Sequence, residues 1–339
     1  MKKKQAFIGF DGFIDTILHA IDYRDGNNEI YINSIGDFGQ RVLDANGKST
    51  NVELKTVCKK FGGNGPLLSE ALRKLDFNTT YIGTIEHEIF SQFSRDNGAI
   101  AVGQPGKTQS LEFGDGKIIF GEMHGVAKVD LACILKRVGR QKFSEVLRSC
   151  DLACFVNWTM LTNLNGILEF VLSEIGSGKT FFFDLADPAK RTEADIRSIC
   201  AIMGKFNALG PVILGVNLKE AGHVLSALGK NGSVVEKLES MGIAAKMILE
   251  SIGISACFVH ANTMSAGYDG NLSFAEGYFS QHPKISTGAG DHFNGGFLSE
   301  YTKASDLAAA LHSGSAAAKY YVENAAPPNA IQIQRMRLV

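Results

Sequence analysis

The sequence predicts an α/β protein with a mostly parallel central sheet, helices on both faces, and a small second sheet beside it. Three observations predict this. Short apolar runs alternate along the chain with amphipathic helical stretches. The chain is 45% hydrophobic with 37 Gly, enough apolar material for a large core threaded by tight turns. Two stretches break the rhythm and alternate instead as half-exposed antiparallel strands do.

The apolar runs AFIGF (6–10), TTYIGTI (79–85), DLACFVNW (151–158), KTFFFDL (179–185), PVILGV (211–216) and ACFVHA (256–261) read as buried strands. Between them, residues 65–75, 163–176, 217–229 and 237–253 carry apolar side chains at helical spacing, and the last three end at Gly. Residues 29–57 (EIYINSI, STNVELKTV) and 108–122 (TQSLEFGDGKIIFGE, with a Gly-Asp-Gly turn) form the small sheet, in the position of a lid. No linker, charge run or internal repeat divides the chain, so residues 1–339 are expected to form one domain. Its lid segments are expected at about 16–57 and 101–125.

At 339 residues the net charge is −1 with both signs scattered, which argues against nucleic acid as a partner. No window has the apolar length of a membrane span. The MKKK start resembles a signal-peptide n-region, but Asp11 and Asp15 interrupt the apolar stretch behind it. Six scattered cysteines and eight histidines show no metal-ligand spacing, so no zinc site is expected and a reduced cytoplasmic location fits.

The chemistry concentrates in STGAGDHFNGGF, residues 286–297. Phe293, Phe297 and Tyr301 follow at four-residue spacing, so a helix begins here with one buried face. Thr287-Gly288-Ala289-Gly290 removes side-chain bulk where backbone N–H groups are free, and those groups together with the helix dipole suit an anion. Asp291 then stands beside that anion as a base for an attacking hydroxyl. The competing reading has Ser286 or Thr287 capping the helix and Asp291 complementing its dipole. Capping alone does not call for Gly-Ala-Gly, which costs backbone entropy.

This stretch resembles the signature of the ribokinase/PfkB family of carbohydrate kinases. GGNGPLLSEALRKL (62–75) is similar to the family's Gly-Gly motif, and NLKE (217–220) to its Asn-x-x-Glu motif. The resemblance implies a ribokinase-like three-layer α/β/α sandwich with a β-lid, phosphorylating a sugar or sugar-like alcohol with ATP and Mg2+. It implies Asp291 as general base, Thr287 to Gly290 as the anion hole with Thr287 on the nucleotide side, and Asn217 and Glu220 organising magnesium near the nucleotide. Gly62, Gly63 and Asn64 would admit the substrate, and Asp11 and Asp15 would hold its hydroxyls. Related kinases also pair through their lids, and Ile30, Ile32, Ile35, Ile118, Ile119 and Phe120 offer apolar surface for a homodimer.

Several residues keep a second reading. Asn217-x-x-Glu220 is also a capping box, Gly62-Gly63 also a turn, and Asn157, Asp184 and Asp187 read as turn residues after their strands. A nucleoside kinase on the same scaffold is the alternative function, with Tyr31, Phe38 or Phe113 as base-stacking candidates. A non-catalytic ligand-binding relative is the other alternative. The chain also departs from the family pattern. Ile285 replaces an Asp associated with a monovalent-cation site, Leu67 stands where Asn is frequent, and residues 260–266 lack the usual phosphate loop.

Overall fold

The computed structural model describes residues 3–277, 280 and 283–337. A nine-stranded sheet runs across the molecule in the order Leu272–Glu276, Met264–Tyr268, Ala256–His260, Val212–Asn217, Thr180–Asp184, Leu152–Phe155, Gln5–Phe10, Asn78–Gly83, Ile100–Ala101. Neighbours are parallel from Ile100–Ala101 through Ala256–His260, and an antiparallel hairpin closes the other edge. All six strands expected from apolar runs are present within a few residues of their predicted bounds.

Successive strand residues point to opposite layers. Phe7, Phe155, Phe181, Phe183 and Leu214 pack under the helices of residues 131–252. Ile8, Cys154, Phe182, Ile213 and Phe258 pack under Asn64–Lys74, Ala289–Ala304 and Leu307–Asn324. The expected stripe lies against this second layer: Phe258 meets Phe293 at 5.5 Å and Phe297 at 4.2 Å between ring centroids. Gly295 and Gly296 let Ala289–Ala304 sit tightly between its neighbours, since a Cβ on them would come within 2.6 Å of Ala71 and Ala317 respectively.

The second sheet consists of Phe13–Asp25, Asn28–Tyr31, Glu53–Gly62, Gly106–Phe113 and Gly116–Glu122. The long strand Phe13–Asp25 pairs with Asn28–Tyr31, Glu53–Gly62 and Gly106–Phe113, and leads directly out of the first strand of the large sheet. Residues 29–57 are not all strand, as the alternation suggested. Helix Ile35–Asp44 interrupts them, capped by Ser34 accepting from Asp37 N. Ile35, Phe38 and Val42 are spaced for a helix, and a ten-residue window mixing both periods hid it.

Candidate active site

Functional side chains gather at the carboxyl ends of the parallel strands, where ligands of open α/β sheets sit. Asp11, Asn157, Asp184, Asn217 and His260 each stand at or just beyond the end of a successive strand. Two cavities lie over this edge. The first, about 580 Å³, lies under the lid and includes Asp15, Asn64, Leu67, Thr108, Ile119, Asn157, Asp187, Thr287, Gly288 and Asp291 in its lining. The second, about 360 Å³, is lined by His260, Asn262, Ser286, Ala289, Gly290 and Lys319 among others. The turn 286–290 is shared, so the expected anion site lies on the boundary between the two.

Helix Ala289–Ala304 is N-capped by Gly288 at φ 97°, with no side-chain cap. The hydroxyls of Ser286 and Thr287, offered above as alternative caps, instead accept from Lys117 Nζ of the lid, at 2.9 and 2.5 Å. The helix start therefore keeps its donors for an anion. Asp291 is 7% exposed and accepts from Asn64 Nδ2 at 2.9 Å. Burial, then the nearby charge of Asp184, hold its carboxyl well above the usual range, against the Asn64 hydrogen bond that lowers it.

The glycines of residues 62–65 make room for carboxylates. A Cβ at Gly62 would lie 2.0 Å from Asp15 Oδ2, one at Gly63 2.9 Å from Asp11 Oδ2, and one at Gly65 2.7 Å from Asp11 Oδ1. Gly63 lines the lid cavity, as its expected substrate role requires, and both glycines have a structural reason besides: two buried acids occupy the space a Cβ would take. Asp15 does face the lid cavity, its Oδ1 accepting from Thr108 at 2.6 Å.

Asp11 sits behind the cavity. It is fully buried, and accepts from Asn64 N at 2.9 Å, Gly65 N at 2.8 Å and Asn157 Nδ2 at 2.8 Å. It caps helix Asn64–Lys74 from a distance and sets Asn64 and Asn157 in place. Burial raises its carboxyl to about 6 despite these donors.

Asn217 and Glu220 form the capping box. Asn217 Oδ1 accepts from Glu220 N at 3.0 Å, and Glu220 Oε2 accepts from Asn217 N at 2.9 Å. Charge on Glu220 is disfavoured: burial first, then Asp184, push its carboxyl up to about 9. Buried acids repelling one another are a set that a divalent cation would relieve. Among the described residues no three His, Cys, Asp or Glu side chains group closely enough to chelate a metal. The oxygen-only donors fit magnesium held partly by waters and phosphate oxygens, as that ion prefers.

Of the residues read as turn formers, Asp184 does make its turn, its Oδ1 accepting from Ala186 N at 2.7 Å, while Asn157 and Asp187 also line the lid cavity. Asn157 adopts φ 56°, and its buried Oδ1 has no partner among the described residues. Asp184 accepts from Asn294 Nδ2 at 2.8 Å, and its charge acts on Asp291. Their position after strands was the available signal, and local turn chemistry masked it. His260, Asn262 and Lys319, which line the second cavity, had no recognised motif. His260 stacks on Phe293 at 5.0 Å, and burial lowers its pKa to about 4. Tyr31, Phe38 and Phe113 do not line the lid cavity: Phe38 and Phe113 pack together at 5.5 Å, and Tyr31 bonds Glu29 on the surface.

The family model described as prokaryotic ketohexokinase matches residues 1–337. A curated ketohexokinase of Haloferax volcanii is 22% identical over 336 residues, covering 96% of this chain and 88% of its own. Ribokinase of Arabidopsis thaliana, solved with ribose and ATP, superposes with a TM-score of 0.69 at 15% identity, covering both chains completely. The nucleoside kinase of Methanocaldococcus jannaschii, an archaeal member of the ribokinase family, gives 0.66 at 15% identity over 99% of each chain.

Proposed function

This chain belongs to the prokaryotic ketohexokinase family, and from that premise we propose that its sugar substrate is a ketohexose bound in the lid cavity. The protein is a carbohydrate kinase that phosphorylates a sugar with ATP. The observation that carries the site assignment is the shared turn: uncapped N–H donors lie between two cavities, and Asp291 faces the one under the lid.

In this reading Asp291 takes the proton of the attacking hydroxyl, and the N–H groups of residues 288–290 receive the γ-phosphoryl oxygens as charge spreads over them. Thr287 stands on the phosphate path. Asp15, Asn64 and Asn157 hold sugar hydroxyls, while Leu67, Met160 and Ile119 cover the apolar faces. Gly62 and Gly63 shape the site by admitting the two acids, and Asp11 positions Asn64 and Asn157. Asn217, Glu220 and Asp184 would hold magnesium through waters, where it neutralises phosphate charge. The nucleotide lies in the cavity of His260 and Gly290, and Lys117 ties the lid to the turn.

The whole chain acts as one kinase unit, and its exposed apolar residues support a homodimer joined through the lids. Of the apolar residues expected there, Ile32 is instead buried in the lid's own core at 6% exposure, and Ile35 and Ile118 are half-buried. Ile30, Ile119 and Phe120, joined by Tyr23, Leu54 and Val57, are between 36% and 58% exposed on lid strands. Six free cysteines and the need for ATP support a cytoplasmic location. No helix of the described residues is long and apolar enough to cross a membrane.

A screen for ADP release over ketohexoses, aldohexoses and nucleosides tests the substrate. Turnover greatest with a ketohexose is expected, and turnover confined to nucleosides would overturn the reading. Ile119→Glu, followed by light scattering, tests the lid pairing: a dimer unaffected by this charge does not use that face.

A further inference from the structure

We propose that His292 and Tyr321 form a stacked positioning pair that aims the N–H groups of the phosphate-binding turn by holding its carbonyls from behind. The inference rests on the kinase reading above.

The turn needs such support. Gly288, at its centre, adopts φ 97° and supplies no side chain to fix its direction. Donors aimed at developing charge are effective only when their direction is set before the reaction. Tyr321 Oη donates to the carbonyl of Thr287 at 3.2 Å. His292 Nδ1 lies 2.8 Å from the carbonyl of Gly288. A carbonyl only accepts, so His292 must carry its proton on Nδ1.

A trans peptide points its C=O and N–H in opposite directions. Holding the Thr287 carbonyl therefore turns the Gly288 N–H the other way, and holding the Gly288 carbonyl, which His292 reaches with both its ring Nδ1 and its backbone N–H at 3.1 Å, does the same for Ala289. The Ala289 N–H makes only a long bond of 3.3 Å to Ser286 O, which a phosphoryl oxygen can replace.

The two rings fix each other. They stack at 3.6 Å between centroids and 12° between planes, one on helix Ala289–Ala304 and one on Leu307–Asn324. Burial holds the imidazole down to about 4, so the donor stays neutral across the working range. Its Nε2 is buried without a partner among the described residues, so Nδ1 makes the only side-chain hydrogen bond found for this ring. A Cβ at position 288 would lie 2.9 Å from Leu67 Cδ1 and 3.0 Å from Tyr321 Oη, so the clamp also requires glycine there.

Two substitutions separate aiming from packing. His292→Phe keeps the stacked ring and loses the donor, whereas His292→Asn keeps a donor near Nδ1 and loses the ring. Aiming predicts kcat in the order wild type, His292→Asn, His292→Phe, with the last about 10–100-fold below wild type. Tyr321→Phe should lose kcat by a similar factor. In both ring-keeping variants the KM for sugar should stay within about threefold, since no sugar contact is removed. Affinity for ADP with aluminium fluoride and sugar, a mimic of the phosphoryl group in flight, should fall with kcat while ADP alone binds normally. The reverse order, with His292→Phe close to wild type and His292→Asn impaired, shows that the pair merely packs and overturns the proposal. Wild-type protein inactive with every sugar overturns the kinase reading along with it. An active wild type whose His292→Phe and Tyr321→Phe variants keep full kcat overturns this inference alone.

Discussion

Asn64 bonds Asp291 and Asp11 at once: its side-chain amide donates to Asp291 Oδ1 and its backbone N–H to Asp11 Oδ2, both at 2.9 Å. One residue thus joins the end of the first strand to the start of the helix Ala289–Ala304. Asp291 is held at its position by a group whose own position is fixed by a buried carboxylate. An unsupported carboxyl at the same place would have rotamer freedom to lose in the transition state.

Asp291→Asn keeps the shape and cannot accept a proton. Its kcat should fall by about 10²–10⁴-fold, as for loss of a general base, with little change in melting temperature. Near-normal steady-state turnover would remove Asp291 from the chemistry.

Gly62→Ala places a methyl group 2.0 Å from Asp15 Oδ2, so the carboxylate must swing away from Thr108. The expected result is a sugar KM raised at least about tenfold and a stability loss of about 1–3 kcal/mol, typical of overpacking. A stability loss with unchanged KM would mean that Asp15 does not touch the sugar.

Asp184→Asn should move the acid limb of the pH–rate profile to lower pH. The charge of Asp184 disfavours ionisation of Asp291, so removing it lowers the pKa of the base and extends activity downward. The amide of Asn294, whose Oδ1 has no partner among the described residues, can turn over to receive the new donor. An acid limb that stays in place or moves upward would contradict this coupling.

Glu220 is raised to about 9, so it is largely protonated at neutral pH in the metal-free protein. Magnesium favours the ionised form, and binding should release a proton. Magnesium affinity should therefore rise with pH while Glu220 loses its proton and level off once it is ionised. Calorimetry in buffers of different ionisation enthalpy measures the release directly. Glu220→Gln should abolish the slope; a slope that survives would leave Glu220 with capping alone.

Local sequence determined the elements and the small-residue start of helix Ala289–Ala304, because both depend on neighbours a few residues apart. The six apolar strands, the stripe Phe293–Phe297–Tyr301 and the unbulky run before Asp291 were all readable, since side-chain period and glycine placement are short-range properties. What Asn157, Asp184 and Tyr321 do was not readable. Each draws its role from a partner far along the chain, Asp11 for Asn157, Asn294 for Asp184 and Thr287 for Tyr321. The glycines at 62 and 63 show the same division. Their small size was evident from sequence, but what fills the space was decided when folding laid the strand ending at Gly62 beside the one carrying Asp15. The His260 cavity also depended on tertiary packing, which brought the distant walls of a pocket together.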